Sequence, residues 1–369
     1  MYIHTYINTY SFHIVTSSHS TVLDPEPSWV QLSYSTMSKL IQRYGTPGFA
    51  GYSCAYSPFY PNKLAVATAA NFGLVGNGRL HILHADPDTA LNTEKLFDSQ
   101  DGLYDVAWSE VHENQLATAS GDGSIKLWDI MLNELPMQSW HEHKREVFCL
   151  DWNNLKKEIF ASSSWDHLVK IWTPSRPDSI MTIPAHESCV YAARFSPSSP
   201  DTLATCSSDG SLKIWDTRIS PDSRPPLAIP AHSNEVLSLD WNKYATHYVA
   251  TASVDRTVKI HDIRRASAGS THNCCVENLV GHQYAIRKVA WSPHAADKIA
   301  TCGYDMTARV WMIPQITGNA PLPRAMGDVS PLGIHNAHKE FVVGLAWSFY
   351  HPGLIATASW DQEVHLWSI

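Results

Sequence analysis

The chain has 369 residues and a net charge of −8, too acidic for broad attraction to phosphate backbones or anionic lipid, so no nucleic acid and no membrane insertion is expected. Its composition, 44% hydrophobic and 17% charged, is that of a globular protein with a substantial core, and no run of about 18 apolar residues is present to span a bilayer. Seven scattered cysteines, an odd number without paired spacing, argue against a disulfide framework or zinc motif and for a reducing compartment.

In chain order, the first 36 residues hold no Lys or Arg and lack the positive start and apolar run of a secretory leader. They match nothing downstream, which leaves two readings of residues 1–36, a disordered extension or an upstream artefact with Met37 the functional start, ahead of a single domain spanning 37–369. Next come GYSCAYSP and LAVATAANFGLVGNGRLHIL, alternating strands around a Gly-bearing turn. The segments LATASGDGSIKLWD, IFASSSWDHLVKIW, LATCSSDGSLKIWD, VATASVDRTVKIHD, IATCGYDMTARVW and IATASWDQEVHLW then repeat one pattern. Each is an apolar strand, a tight polar turn holding an Asp, and an alternating strand with an aromatic end.

His143, His186, His232, His282 and His338 each precede a turn Asp (Asp166, Asp209, Asp255, Asp305, Asp361) by 23 positions. An aromatic falls nine positions after each His (Trp152, Phe195, Trp241, Trp291, Trp347), and a strand-ending residue 29 after it (Trp172, Trp215, His261, Trp311, Trp367). The unit around Trp108, Asp122 and Trp128 keeps these intervals with Ser99 at the His position, and the first unit lacks the Asp, so seven units result. A period of this length predicts an all-β, seven-bladed WD-repeat β-propeller. The last unit stops at Ile369, two residues after Trp367, without a fourth strand; part of residues 38–50 is expected to supply it and close the ring.

Four residues before each turn Asp lies Thr118, Ser162, Thr205, Thr251, Thr301 or Thr357. A buried chain of Trp indole, hydroxyl, imidazole and carboxylate would satisfy every member and tie three strands together. His, Asp and Ser/Thr also suggest a hydrolase triad, and 20 histidines suggest metal. A catalytic or metal constellation occurs once per site, whereas these sets recur at identical spacing. They therefore read as structure: no enzyme, no metal, no cofactor. His261, where Trp is usual, is expected to weaken its blade's chain.

The runs DGLYDVAWSE, EHKREVFCLDW, SWDHLVKIW, IPAHSNEVLSLDW and HQYAIRKVAWSP, with the opening TPGFAGYSCAYSPFYPNKLAVATA and its GLVGNG insertion, resemble the type-2 peroxisomal targeting signal receptors, the peroxin-7 family. The resemblance covers about residues 45–369. It implies a receptor cycling between cytosol and peroxisomal matrix. Such a receptor binds cargo proteins through an N-terminal helical signal of nine residues, and works with an import co-receptor and with docking machinery at the peroxisomal membrane. The alternative is another WD-repeat scaffold, such as a histone-binding chaperone subunit.

By resemblance to WD propellers generally, positions three and five after the His, and the residue before each turn Asp, line one rim of the channel. There Glu146 and Glu235 are candidate partners for a basic signal, and Tyr104, Phe148, Trp165, Tyr191, Tyr304, Phe341 and Trp360 a hydrophobic floor shared between cargo and co-receptor. Asp101 and Asp105, one residue off these positions, are further charge candidates. Arg287 departs in charge sign, and a neighbouring acid is its expected partner.

Overall fold

The computed structural model describes residues 36–369 apart from 74–75, 133–134, 221–222, 267–273, 314–315 and 317–328. The extension expected over residues 1–36 lies outside the described residues but for Thr36. Two strands come first, β1 (Thr36–Met37) and β2 (Lys39–Gly45). Blade one is β3 (Phe49–Tyr56), β4 (Lys63–Ala70), β5 (Gly78–His84) and β6 (Asn92–Ser99); blade two is β7 (Leu103–Trp108), β8 (Gln115–Ser120), β9 (Ile125–Asp129) and β10 (Gln138–Trp140). Blade three follows as β11 (Val147–Trp152), β12 (Phe160–Ser164), β13 (Leu168–Trp172) and β14 (Met181–Pro184), and blade four as β15 (Val190–Phe195), β16 (Thr202–Ser207), β17 (Ser211–Asp216) and β18 (Leu227–Pro230). Blade five is β19 (Val236–Trp241), β20 (Tyr248–Ser253), β21 (Thr257–Asp262) and β22 (Cys275–Val280); blade six is β23 (Ile286–Trp291), β24 (Lys298–Gly303), β25 (Ala308–Met312) and β26 (Pro331–His335). Blade seven has three strands of its own, β27 (Val342–Trp347), β28 (Leu354–Ser359) and β29 (Glu363–Ser368).

The strands within each blade run antiparallel, β1 adds a short parallel strand beside β26 of blade six, and β2 completes blade seven by pairing antiparallel with β29, Leu40 opposite Trp367 and Tyr44 opposite Val364. The ring therefore closes as the missing fourth strand requires, which removes the exposed edge. The first strands of successive blades pack on one another all the way round, β27 against β3 included. Between blades lie apolar clusters, such as Ala117, Ile125, Val147, Leu150, Phe160 and Trp172 between blades two and three.

The first aromatic column fastens neighbouring blades. Trp108 Nε1 donates to the Ala55 carbonyl at 2.9 Å, Trp152 to Ala107 at 3.2 Å, Trp241 to Arg194 at 3.0 Å and Trp347 to Ala290 at 3.0 Å. Each reaches across to the preceding blade's first strand.

The turn Asp closes each tight turn by accepting the backbone N–H two residues on, as Asp166 does from Leu168 at 3.0 Å and Asp361 from Glu363 at 3.0 Å. The intervening residue takes the left-handed region: Gly123 and Gly210 where no Cβ resists it, but also His167 (φ 74°), Arg256 (70°), Met306 (62°) and Gln362 (65°).

Candidate functional site: the mouth of the central channel

All seven first strands carry a β-bulge: the register slips across Gly51/Ser53, Leu103/Asp105, Val147/Cys149, Val190/Ala192, Val236/Ser238, Ile286/Lys288 and Val342/Gly344. The extra residue in each case is Tyr52, Tyr104, Phe148, Tyr191, Leu237, Arg287 or Val343. A bulge re-aims one side chain out of the sheet's alternation, and here all seven line one central cavity. The positions five after the His thus meet around the channel.

The aromatic members connect into one run. Tyr304 and Phe341 have ring centroids 5.0 Å apart, Phe341 and Trp360 5.4 Å, Trp360 and Tyr52 5.6 Å, Tyr52 and Tyr104 5.0 Å, and Tyr104 and Phe148 4.9 Å. Phe148 stacks on Trp165 at 4.7 Å, their planes 9° apart, and Tyr191 meets Phe148 edge-on at 5.8 Å. The seven aromatics expected on the floor are all in this run. Two more were missed: Tyr52 and Phe72, the latter 5.6 Å from Trp360 and half exposed. Tyr52 was legible, because it stands four residues before Tyr56 as Tyr104 does before Trp108. Phe72 was not, since its turn carries no Asp to count from.

The acids divide. Glu235 accepts the Tyr191 hydroxyl at 3.0 Å, and burial pushes its carboxyl above the ordinary value against that hydrogen bond. Glu146, partly exposed, pairs with its neighbour Arg145 at 3.2 Å. Asp101 accepts the Gly102 N–H at 2.6 Å and is likewise raised by burial. Asp105 turns inward: it is 2% exposed, its Oδ1 accepts the Ser53 hydroxyl at 2.6 Å, its Oδ2 accepts the Leu150 N–H at 2.9 Å, and Lys288 lies 3.5 Å away. Asp105 lines the same cavity as Tyr104, but its carboxylate is already engaged by Ser53, Leu150 and Lys288. Arg287 has no neighbouring acid: among the described residues no carboxylate forms an ion pair with it, and its guanidinium donates to the Leu237 carbonyl at 3.3 Å and lies 5.6 Å from the Phe148 ring centroid.

Away from the mouth, the repeated polar residues form the expected chains. In blade three, Trp172 Nε1 donates to Ser162 Oγ at 2.8 Å, Ser162 meets His143 Nε2 at 2.7 Å, and His143 Nδ1 meets Asp166 at 2.8 Å. Blade four repeats this with Trp215, Thr205, His186 and Asp209 at 3.0, 2.8 and 2.8 Å, and blade six with Trp311, Thr301, His282 and Asp305 at 2.9, 2.7 and 2.8 Å. Burial works to raise the Asp305 carboxyl, but the His282 hydrogen bond and charge, with Thr307 and the Gln283 N–H, hold it at about 2. In blade five, where a weakened chain is expected, His261 Nε2 takes the indole's place against Thr251 at 2.9 Å, and His232 joins Thr251 and Asp255 at 2.8 and 2.9 Å. Blade seven keeps His338 with Thr357 and Asp361, both at 2.9 Å, while Trp367 stacks on His335, centroids 4.9 Å apart. Blade two keeps Trp128 on Thr118 at 2.8 Å, and Lys126 donates to Ser99 at 2.9 Å.

His335, His338 and His365 bring ring nitrogens within 4.8 Å of one another, the one such His/Cys/Asp/Glu group among the described residues. Their nitrogens already have partners: Asp361 and Thr357 hold His338, His335 Nε2 meets His365 Nδ1 at 3.0 Å, and Glu363 takes His365 Nε2 at 2.8 Å. The group reads as packing at the closure of the ring.

The WD40 family (WD domain, G-beta repeat) matches residues 92–129, 135–173, 177–216, 224–262, 273–312 and 329–368, well over half of the chain. Each match begins near the outer strand of one blade and runs through three strands of the next. Among curated proteins, the peroxisomal targeting signal 2 receptor of Saccharomyces cerevisiae is 37% identical over 370 residues, covering 88% of this chain and 99% of that protein. The protein of the same name from Mus musculus is 40% identical, covering 87% of this chain and 94% of its own length. The Homo sapiens one is 46% identical over 268 residues, or 72% and 80%. With seven blades, the WD signature in six of them and this identity around the ring, the chain belongs to the peroxisomal targeting signal 2 receptor family of WD-repeat proteins.

Proposed function

We propose that this protein is a non-enzymatic import receptor that binds the N-terminal type-2 targeting signal of cargo proteins at the mouth of its channel. It cycles between cytosol and peroxisomal matrix, handing cargo on with a co-receptor and the docking machinery. One observation carries the reading: an unbroken aromatic run from Tyr304 to Tyr191, flanked by Glu146 and Glu235. A helix with leucines and basic residues on one face matches both elements, since its leucines can cover the rings while its cations meet the carboxylates. Glu235 is the stronger charge partner, because a half-buried carboxylate bonded through a neutral hydroxyl gains most from a cation. At Glu146 an incoming cation displaces Arg145, and Asp101 contributes at the edge. Asp105, already matched by Lys288, takes no part. Phe341, Trp360 and Phe72 are shared between the cargo signal and the co-receptor.

The test is a titration of a fluorescent signal peptide, with and without co-receptor, against a histone-tail peptide. Saturable binding of the signal that falls at least about tenfold (~1.4 kcal/mol) on Glu235→Lys or Glu146→Lys is the expected result. Signal peptide ignored in every co-receptor context sinks the reading, and preference for the histone tail replaces it with the scaffold alternative.

A further inference from the structure

Of the seven bulge residues around the channel, one is charged. Arg287 is 8% exposed, donates to the Leu237 carbonyl at 3.3 Å, and lies 5.6 Å from the Phe148 ring centroid. The other cations of the cavity are matched: Lys288 by Asp105 at 3.5 Å and Arg194 by Asp151 at 2.8 Å. The other buried arginine among the described residues, Arg309, lies 3.2 Å from Asp305. A guanidinium offers five N–H donors in a fork shaped for a carboxylate. Holding one away from water with a single carbonyl and a ring face leaves a desolvated charge without its counterion.

We propose that Arg287 is a carboxylate site in the floor of the mouth, and that it takes an acidic side chain of the cargo segment lying across the aromatic run. The identity of that source rests on the receptor reading above; the carboxylate site itself does not. The mouth then has two poles, acids on blades three and five and a cation on blade six. It selects a ligand by the placement of an acid as well as by its basic and leucine positions, and fixes the direction in which the helix lies. One helical turn advances about 5.4 Å, so only certain positions between the basic and terminal residues of the signal present an acid to Arg287.

Two ligand series test this on the full chain. In the first, 3-phenylpropionate is compared with its uncharged amide by titration calorimetry; in the second, signal peptides carry Glu or Gln at each of the five internal positions in turn. Wild type is expected to bind the acid in preference to the amide, and to bind the Glu peptide about tenfold tighter than the Gln peptide at one or two positions. Arg287→Met erases both preferences, so that Glu and Gln peptides bind it alike, and Arg287→Lys keeps part of each. Should Arg287→Met fail to fold, Arg287→Gln and Arg287→Lys carry the comparison. No acid preference in either series, or a preference that survives loss of the guanidinium, overturns the proposal. Failure of every signal peptide removes the receptor reading instead, and the phenylpropionate pair then decides the Arg287 site alone.

Discussion

Blade four and blade one are built on the same antiparallel ladder, yet only blade four carries the polar chain. In blade four, Thr205 is held from both sides, by the Trp215 indole at 3.0 Å and the His186 ring at 2.8 Å. In blade one the equivalent position is Val66, opposite Cys54 as Thr205 is opposite Ala193, and it carries no hydroxyl. Leu83 stands where Trp215 does, pairing Leu64 as Trp215 pairs Leu203, and His81, paired with Val66 where blade four pairs Lys213 with Thr205, is buried with neither ring nitrogen partnered. Burial, then the Arg79 charge, pushes that ring down to about 4. Blade one holds together regardless through Leu64, Val66, Leu83 and Leu80 in the clusters on its two faces. The polar chain therefore aligns a blade more than it creates one. Freed from it, the turn after β4 bends instead through Asn71 and Phe72, both at positive φ. That turn offers Phe72 to the mouth, and its carbonyls anchor the Tyr52 and Tyr104 hydroxyls at 2.5 and 2.9 Å. Strain of this kind in an aromatic residue marks functional turns. The least regular blade carries rim residues that the repeat does not encode.

The contrast breaks most sharply under substitution of the imidazoles. His282→Ala in a complete chain strands Thr301 and Asp305 and is expected to lose about 2–3 kcal/mol, whereas His81→Phe stays within about 1 kcal/mol of wild type because it strands nothing. Equal losses in urea unfolding would mean that the polar chain is no more than packing. A second arm uses acid. His335 and His365 are lowered by burial and then by the neighbouring His338. Their neutral state stabilises the fold fully above the ordinary His value of about 6.5, and that stabilisation drains away at about 1.4 kcal/mol per ring per pH unit below it. His335→Phe, which keeps a ring on Trp367, should flatten the fall of stability between about pH 6 and 4; an unchanged slope contradicts the burial argument. Phe72→Ser should then weaken signal binding about tenfold with little change in melting temperature, sharpening the view that blade one serves the mouth. Smallest is His261→Trp: because Thr251 is already satisfied at 2.9 Å, stability should move by less than about 1 kcal/mol, read by thermal unfolding.

How much of the mouth could be read beforehand depended on what there was to count from. Glu146, Phe148, Tyr191 and Glu235 follow a His at fixed distance, and their positions on the rim were legible. That Asp105 is buried and already paired was not legible, because Ser53, the Leu150 N–H and Lys288 come from three other blades. Phe72 was invisible for want of the Asp, and the solitary state of Arg287 because an ion pair depends on what the neighbouring blades bring near.

The sequence by itself determined the blade count, the strand pattern, the polar chains and the strand that closes the ring, since each follows from short-range spacing repeated along the chain. Only the tertiary structure decided which side chains meet across the channel, that seven bulges aim them there, and that the Arg287 guanidinium among them forms no ion pair with a carboxylate of the described residues. Those are relations between blades about 40 or more residues apart in the chain, and no local pattern fixes the distance between them.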